Sequence, residues 1–198
     1  MARPIVRWID LLSRALNPGF WVSALVLAAT LAGVAPPAAA QGVELPSISA
    51  RRQEGAVVLD VVAVLTLSKA VEDALRRGVP VYFIAQATVY RPRWYWRDEK
   101  VSRVTRSWRV SYQPLTSQWR VSLGGFSQSY TSLDEALLSV TRLAHWKLTE
   151  PGLTEDSERY YVEFSYRLDS SQLPRPMQLE LTAQTDWQLG IDRVVKVE

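Results

Sequence analysis

The residues best suited to chemistry lie in one stretch, RPRWYWRDEK, from Arg91 to Lys100. Trp, Tyr and Arg are the side chains that most often anchor binding surfaces. Aromatic faces stack on sugars or cations, and guanidinium groups pair with carboxylates or phosphates. The chemistry on offer is therefore recognition. Catalytic sets are harder to assemble. The chain has no Cys and a single His, His145. A zinc site built from His and Cys cannot form within one chain. A Ser-His-Asp triad would have to use His145, and no G-x-S-x-G turn accompanies it. Neither of the glycine-rich phosphate-cradling motifs is present. His145 reads instead as a cation at a helix end. Gly124-Gly125 alone is a turn or bulge signal. Asp98, Glu99, Asp169 and Asp186 remain as carboxylates that a glycosidase could use, without a supporting motif.

The elements around this stretch are mostly strands. Ala56 to Leu67 is rich in Val and Leu. From Val81 to Tyr90 both alternating sets are largely apolar, which predicts a strand covered on both faces. Val104 to Tyr112 alternates apolar with polar, Arg106 being the exception on the apolar side. A turn at Pro114 then leads into Trp119, Val121 and Leu123, so these runs predict a hairpin. Phe126 to Tyr130 continues as a short strand beyond the glycine pair. Tyr160, Val162, Phe164, Tyr166 and Leu168 alternate with a polar face.

Two segments have helical spacing. Ser68 caps KAVEDALRR, and Gly78 ends it. Ser132 and Glu135 form an S-x-x-E box that opens a run through Leu133, Ala136, Leu137, Val140, Leu143 and Ala144. The end of the chain is ambiguous. Met177, Leu179, Leu181 and Ala183 alternate, Pro174 and Pro176 equally suit a helix start, and Trp187, Leu189 and Ile191 suggest a further strand. Strand content is the favoured reading. The expected fold is α+β: a predominantly antiparallel, sandwich-like sheet of about seven strands with two short helices packed on it.

The first 40 residues read as a signal peptide. Arg3, Arg7 and Arg14 precede an apolar run from Phe20 to Ala35, and Ala38 and Ala40 suit cleavage before Gln41. The alternative is an N-terminal membrane anchor, although the run is short for a bilayer span. Residues 41–198 then form a single β-rich domain. The whole chain carries a formal net charge of +3. Most of it belongs to the leader, and a globally basic nucleic-acid binder is not indicated. Bases do crowd one region, with Arg91, Arg93, Arg97, Lys100, Arg103, Arg106 and Arg109 facing only Asp98 and Glu99. The expected location is the periplasm or cell envelope of a bacterium, where disulfides and a lipid-modified cysteine are ruled out by the absence of Cys.

If the strand before RPRWYWRDEK continues through it, Pro92, Trp94 and Trp96 point one way and Arg93, Tyr95 and Arg97 the other, with the hairpin tip at Asp98 to Lys100. Two readings follow. In one, the Trp pair closes the end of the core while Arg and acid side chains form a cross-strand ladder. In the other, the hairpin projects and binds. Parity favours the core side for Trp94 and Trp96, leaving Arg93, Tyr95 and Arg97 outward. The candidate binding residues are Arg93, Trp94, Tyr95, Trp96 and Arg97, with Arg103 and Arg109 on the returning strand. No catalytic residue, metal ligand or cofactor is expected.

Several motifs in order resemble one family. ALRRGVPVYFIAQATVYRPRWYWRDEKV is followed by TSLDEALLSV and LDSSQLPRPMQLE. This resembles the exported bacterial proteins grouped as domain of unknown function 4390. The shared pattern runs from Ala74-Leu75 and Gly78-Val79-Pro80 through Arg93 to Trp96. It continues at Tyr112, Leu115 and Thr116, then Ser132 to Leu137 (Ser where the pattern has Thr), then Leu168-Asp169 and Leu173-Pro174. The resemblance implies export and one domain, and carries no catalytic residues. Members tend to be encoded near a membrane sensor kinase of the nitrogen-regulation type, which implies an envelope signalling partner. The expected function is a periplasmic, non-enzymatic binding or accessory protein with an envelope protein partner, no nucleic acid, and room for peripheral contact with anionic envelope components. A glycan-binding module or glycan hydrolase is the alternative.

Overall fold

A computed structural model describes residues 42–154, 158–173 and 185–198. Nine strands are seen among them, in two antiparallel sheets. β1 (Gly42–Gln53), β2 (Ala56–Thr66) and β7 (Arg142–Lys147) form a three-stranded sheet in the order β1-β2-β7. β3 (Val81–Arg91), β4 (Glu99–Gln113), β5 (Gln118–Leu123), β6 (Phe126–Tyr130), β8 (Tyr161–Leu168) and β9 (Gly190–Lys196) form a six-stranded sheet in the order β6-β5-β4-β3-β8-β9. The chain's last residues tie the sheets together along one side. Val197 bridges Ala50 in parallel, and Arg52 N–H donates to the Glu198 carbonyl at 3.0 Å.

The apolar faces turn towards each other. Val81, Phe83, Ala85, Ala87 and Val89 of β3 are completely buried, as are Val162 and Tyr166 of β8 beside them. Val57, Leu59, Leu143 and Trp146 supply the opposite wall. The polar set of β8 stays outside, as its alternation predicts.

Helix α1 (Lys69–Arg76) is capped as expected. The Ser68 hydroxyl accepts from Val71 N–H at 3.2 Å and itself donates to the Asp186 carbonyl at 3.0 Å. Gly78, at φ +86°, closes the helix in the left-handed region that a side chain would resist. Ser68 is buried, so its replacement strands both a helix N–H and a distant carbonyl. Ser68→Ala is expected to cost about 1–2 kcal/mol in a urea melt. A change below a few tenths would show that water replaces both bonds.

Helix α2 (Leu133–Thr141) starts at Ser132, whose hydroxyl accepts from Glu135 N–H at 3.2 Å. Glu135 reaches Thr131 rather than completing the reciprocal box. The helix packs on β2, β5, β6 and β7.

Three expectations are corrected. The helix stops at Thr141, so Leu143, Ala144 and His145 are strand residues. The physical reason is competition: Val62 and Val61 on β2 offer backbone partners to Arg142 and Leu143, while the Thr141 hydroxyl bonds back to the Leu137 carbonyl at 3.0 Å. His145 is therefore no helix-terminal cation. It sits in a β-bulge at φ +50°, its N–H donating to Asp60 Oδ1 at 2.8 Å. Finally, β1 was not foreseen, because polar residues interrupt its apolar ones without regular alternation and only Val43 and Ala50 are buried. Of the ambiguous C-terminal run, Trp187 lies in a 3₁₀ turn and Ile191 in β9. Met177, Leu179, Leu181 and Ala183 lie outside the described residues, as do Pro174 and Pro176.

Candidate functional site

The RPRWYW segment is a loop, not a continuation of the strand. β3 ends at Arg91, which pairs with Glu99 at the start of β4. Pro92 has no N–H to continue a ladder. Residues 92–98 thus form the turn, seven residues rather than a tip at Asp98 to Lys100. Strand parity no longer applies, and this overturns the expectation that the Trp pair closes the core. Trp94 is 94% exposed, Trp96 75% and Tyr95 65%. Trp94 and Tyr95 meet edge-on, with ring centroids 5.0 Å apart and planes at 71°.

What holds the loop is an ionic floor beneath the rings. The Arg91 guanidinium bridges two carboxylates, binding Glu99 and, at 2.7 Å, Glu158. Arg93 donates to the same Glu99 oxygen at 2.6 Å. Tyr160 O–H donates to Glu158 at 2.9 Å. On the other side, Asp98 accepts from Arg93 N–H at 3.2 Å and from Tyr161 O–H at 2.6 Å. Tyr161 stacks on Tyr90 with centroids 5.3 Å apart. The Glu158 main chain is held in turn by Arg52. Three different segments of chain therefore fix the base of the loop.

These contacts set the charges. The Arg91 guanidinium holds both Glu99 and Glu158 below the usual carboxylate range, with Arg93 and Tyr160 respectively adding to it. The Tyr161 hydroxyl, then the Arg93 N–H, lower Asp98. The same bond pushes the Tyr161 phenol up. None of the three carboxyls is held protonated, as the acid of a glycosidase must be.

The sign of the pH dependence follows. A carboxylate with a depressed folded pKa stabilises the fold above its ordinary range and loses that contribution as pH falls through the depressed value. The loop is expected to stay pinned at neutral pH and to open only below about pH 4. Tryptophan emission followed from neutral to acid pH checks this. A transition complete above about pH 5 would contradict it.

An open cleft of about 460 Å³ lies between Trp94, Tyr95, Arg159 and the Arg91–Glu158 pair. Of the residues singled out from the sequence, Arg93, Trp94 and Tyr95 line this cleft, whereas Trp96 and Arg97 share the loop without lining it. Arg97 is exposed and makes no ion pair among the described residues. Arg103 and Arg109 stand on the outer face of β4, away from the loop. Arg103 donates to Thr88 at 3.4 Å and lines a shallow groove of about 610 Å³ with Glu163, Arg167, Asp192 and Arg193. The mixed charges of that groove name no ligand. Arg109 lies in register with Tyr82 and Ser122, at the opposite end of the sheet. Sequence reasoning missed the pinning residues Arg91, Glu158, Tyr160 and Tyr161. Their spacing carries no local signal, because the pairs join segments more than 60 residues apart. Among the described residues no group of His, Asp and Glu is arranged to hold a metal ion, and no helix is long and apolar enough to cross a membrane.

A family model described as a domain of unknown function, DUF4390, matches residues 40–196. The chain belongs to this family. No curated protein and no solved structure matches it. The DUF4390 match spans both sheets and the aromatic loop. Among the described residues of this DUF4390 chain, the loop is the one place where three large aromatic side chains in a row stand in solvent.

Proposed function

We propose that the protein is a non-enzymatic binding or accessory domain of the bacterial cell envelope, acting after export to the periplasm, and that residues 92–97 are its contact element. The observation that carries this reading is the exposure of Trp94, Tyr95 and Trp96 on a loop pinned by ion pairs. Large aromatics left in water are costly unless a partner covers them. A pre-ordered loop also loses less entropy on binding than a flexible one. The partner that fits is an envelope protein, with the extracytoplasmic part of a membrane sensor kinase as the first to try. A glycan is favoured less, because rings at 71° cannot both lie flat on one run of sugars.

The test is capture from envelope extracts by wild type and by the Trp94→Ala/Trp96→Ala double variant. Both rings are exposed, so the variant should melt within about a degree or two of wild type. Loss of a protein that wild type retains is the expected result. Equal recovery by the folded variant overturns the proposal. N-terminal sequencing of the exported protein is expected to begin at Gln41, and a start at Met1 would favour the anchor.

A further inference from the structure

Strand β4 is covered unequally by its neighbours. β3 pairs with it from Glu99 to Val110, but β5 reaches it only from Trp108 to Gln113. Among the described residues, the edge of β4 from Glu99 to Ser107 that faces away from β3 has no strand partner. Burial records the same gap. Ala85, Ala87 and Val89 on β3 are completely buried. Their cross-strand neighbours on the same face, Arg106, Val104 and Ser102, are only partly covered. A strand with free main-chain groups on one edge is a template for another.

The β4 stretch along this edge is rich in bases. Lys100, Arg103 and Arg106 lie within it, and Arg97 and Arg109 flank it. None of the five pairs with a carboxylate among the described residues. Arg103 leans across β3 to the Thr88 hydroxyl, over the groove that also holds Glu163 and Asp192, and Arg106 lies over the Trp146 ring at 5.1 Å. Glu99, the acid of the stretch, is already taken by Arg91 and Arg93. Isolated edges often carry cations that discourage self-pairing. The same cations select an acidic newcomer.

We infer that the open edge of β4 receives an extended acidic segment of the envelope partner as an added strand. This rests on the binding-domain reading above and supplies the main-chain half of the contact, beside the aromatic loop. The pleat dictates the segment's pattern. Residues on the outer face should be acidic, opposite Lys100 and Arg103. Residues on the inner face should be apolar, to cover Val104.

The probe is a synthetic peptide of about eight residues, a usual strand length, alternating Glu with Val and Thr. A Lys-for-Glu version and a version N-methylated on alternate residues serve as comparisons. Spectra of the isotope-labelled protein should show perturbed, exchange-protected amides between Lys100 and Ser107 with the acidic peptide alone. Binding should weaken about tenfold or more in Arg103→Glu or when salt is raised well beyond the physiological level. The inference fails if the lysine peptide binds equally, or if the N-methylated one does. It also fails if shifts are confined to Trp94–Trp96, or if the protein dimerises through β4 and excludes the peptide. The two proposals separate cleanly. Partner capture that needs Trp94 and Trp96 with no peptide at β4 overturns the edge alone. A peptide bound at β4 with capture indifferent to the tryptophans overturns the loop alone.

Discussion

Replacing Trp146 by alanine is expected to lower the unfolding free energy by about 3–5 kcal/mol. The indole is among the largest side chains that are fully buried, at 2% exposure, and it lies between the two sheets. Its neighbour in register is Leu59, itself completely buried. Removing the ring leaves a cavity that strands on both sides cannot close, because their positions are set by backbone ladders. It also removes the surface under Arg106. That guanidinium is partly desolvated, which lowers its affinity for the proton, and the ring face compensates part of the cost. A domain of this size has about 5–15 kcal/mol in hand, so the loss is a large fraction of the total. Urea melts of wild type, Trp146→Ala, Arg106→Met and the double variant would measure both parts. A loss for Trp146→Ala below about 1 kcal/mol would mean that the core collapses around the gap.

Arg91→Met should act on the loop and leave the fold almost untouched. The substitution keeps the aliphatic stem and deletes the one group that bridges Glu99 and Glu158. Glu99 keeps Arg93, but the cation shared with Glu158 is gone and the two carboxylates are left near each other. Exposed ion pairs contribute little to global stability, so the melting temperature should change little. The local effect should be large. Trypsin is expected to cut at Arg93 and Arg97 about tenfold faster or more, since cleavage follows local opening. Capture of the partner should weaken in step, because a loosened loop must be ordered again on binding. Arg91→Lys is expected to rescue only in part, as an ammonium cannot present the same planar fork to two acids. Unchanged proteolysis in Arg91→Met would show that Asp98, Tyr161 and Arg93 hold the loop without the bridge.

Much of the frame was legible. The strand β3, the clean alternation of β8 and the hairpin of β4 and β5 all lie where their patterns place them. Only one face of β3 is fully covered, however, since Tyr82, Ile84, Gln86 and Tyr90 on the other stay half-buried on the outside of a two-layer fold. Ser68 and Ser132 cap the helices for local reasons that need no tertiary knowledge. The exposed aromatic and basic stretch was also visible by composition. What misled was the assumption of continuous strand parity through Pro92, which assigned Trp94 and Trp96 to the core. In the same way, apolar spacing carried the second helix past Thr141, although β2 had strand partners waiting for Arg142 and Leu143.

By itself the sequence determined the antiparallel class, the caps, the alternating core faces and the clustering of aromatic and basic side chains around Arg91–Lys100. Those features depend on neighbours within a few residues, where periodicity and side-chain shape act directly. Only the tertiary structure decided that the tryptophans face water, that Arg91 and Glu158 meet beneath them, and that β4 outruns β5 and leaves an edge open. Each of these depends on which distant segments lie alongside one another. A salt bridge across 67 residues, or a strand partner that stops at Trp108, leaves no trace in local spacing.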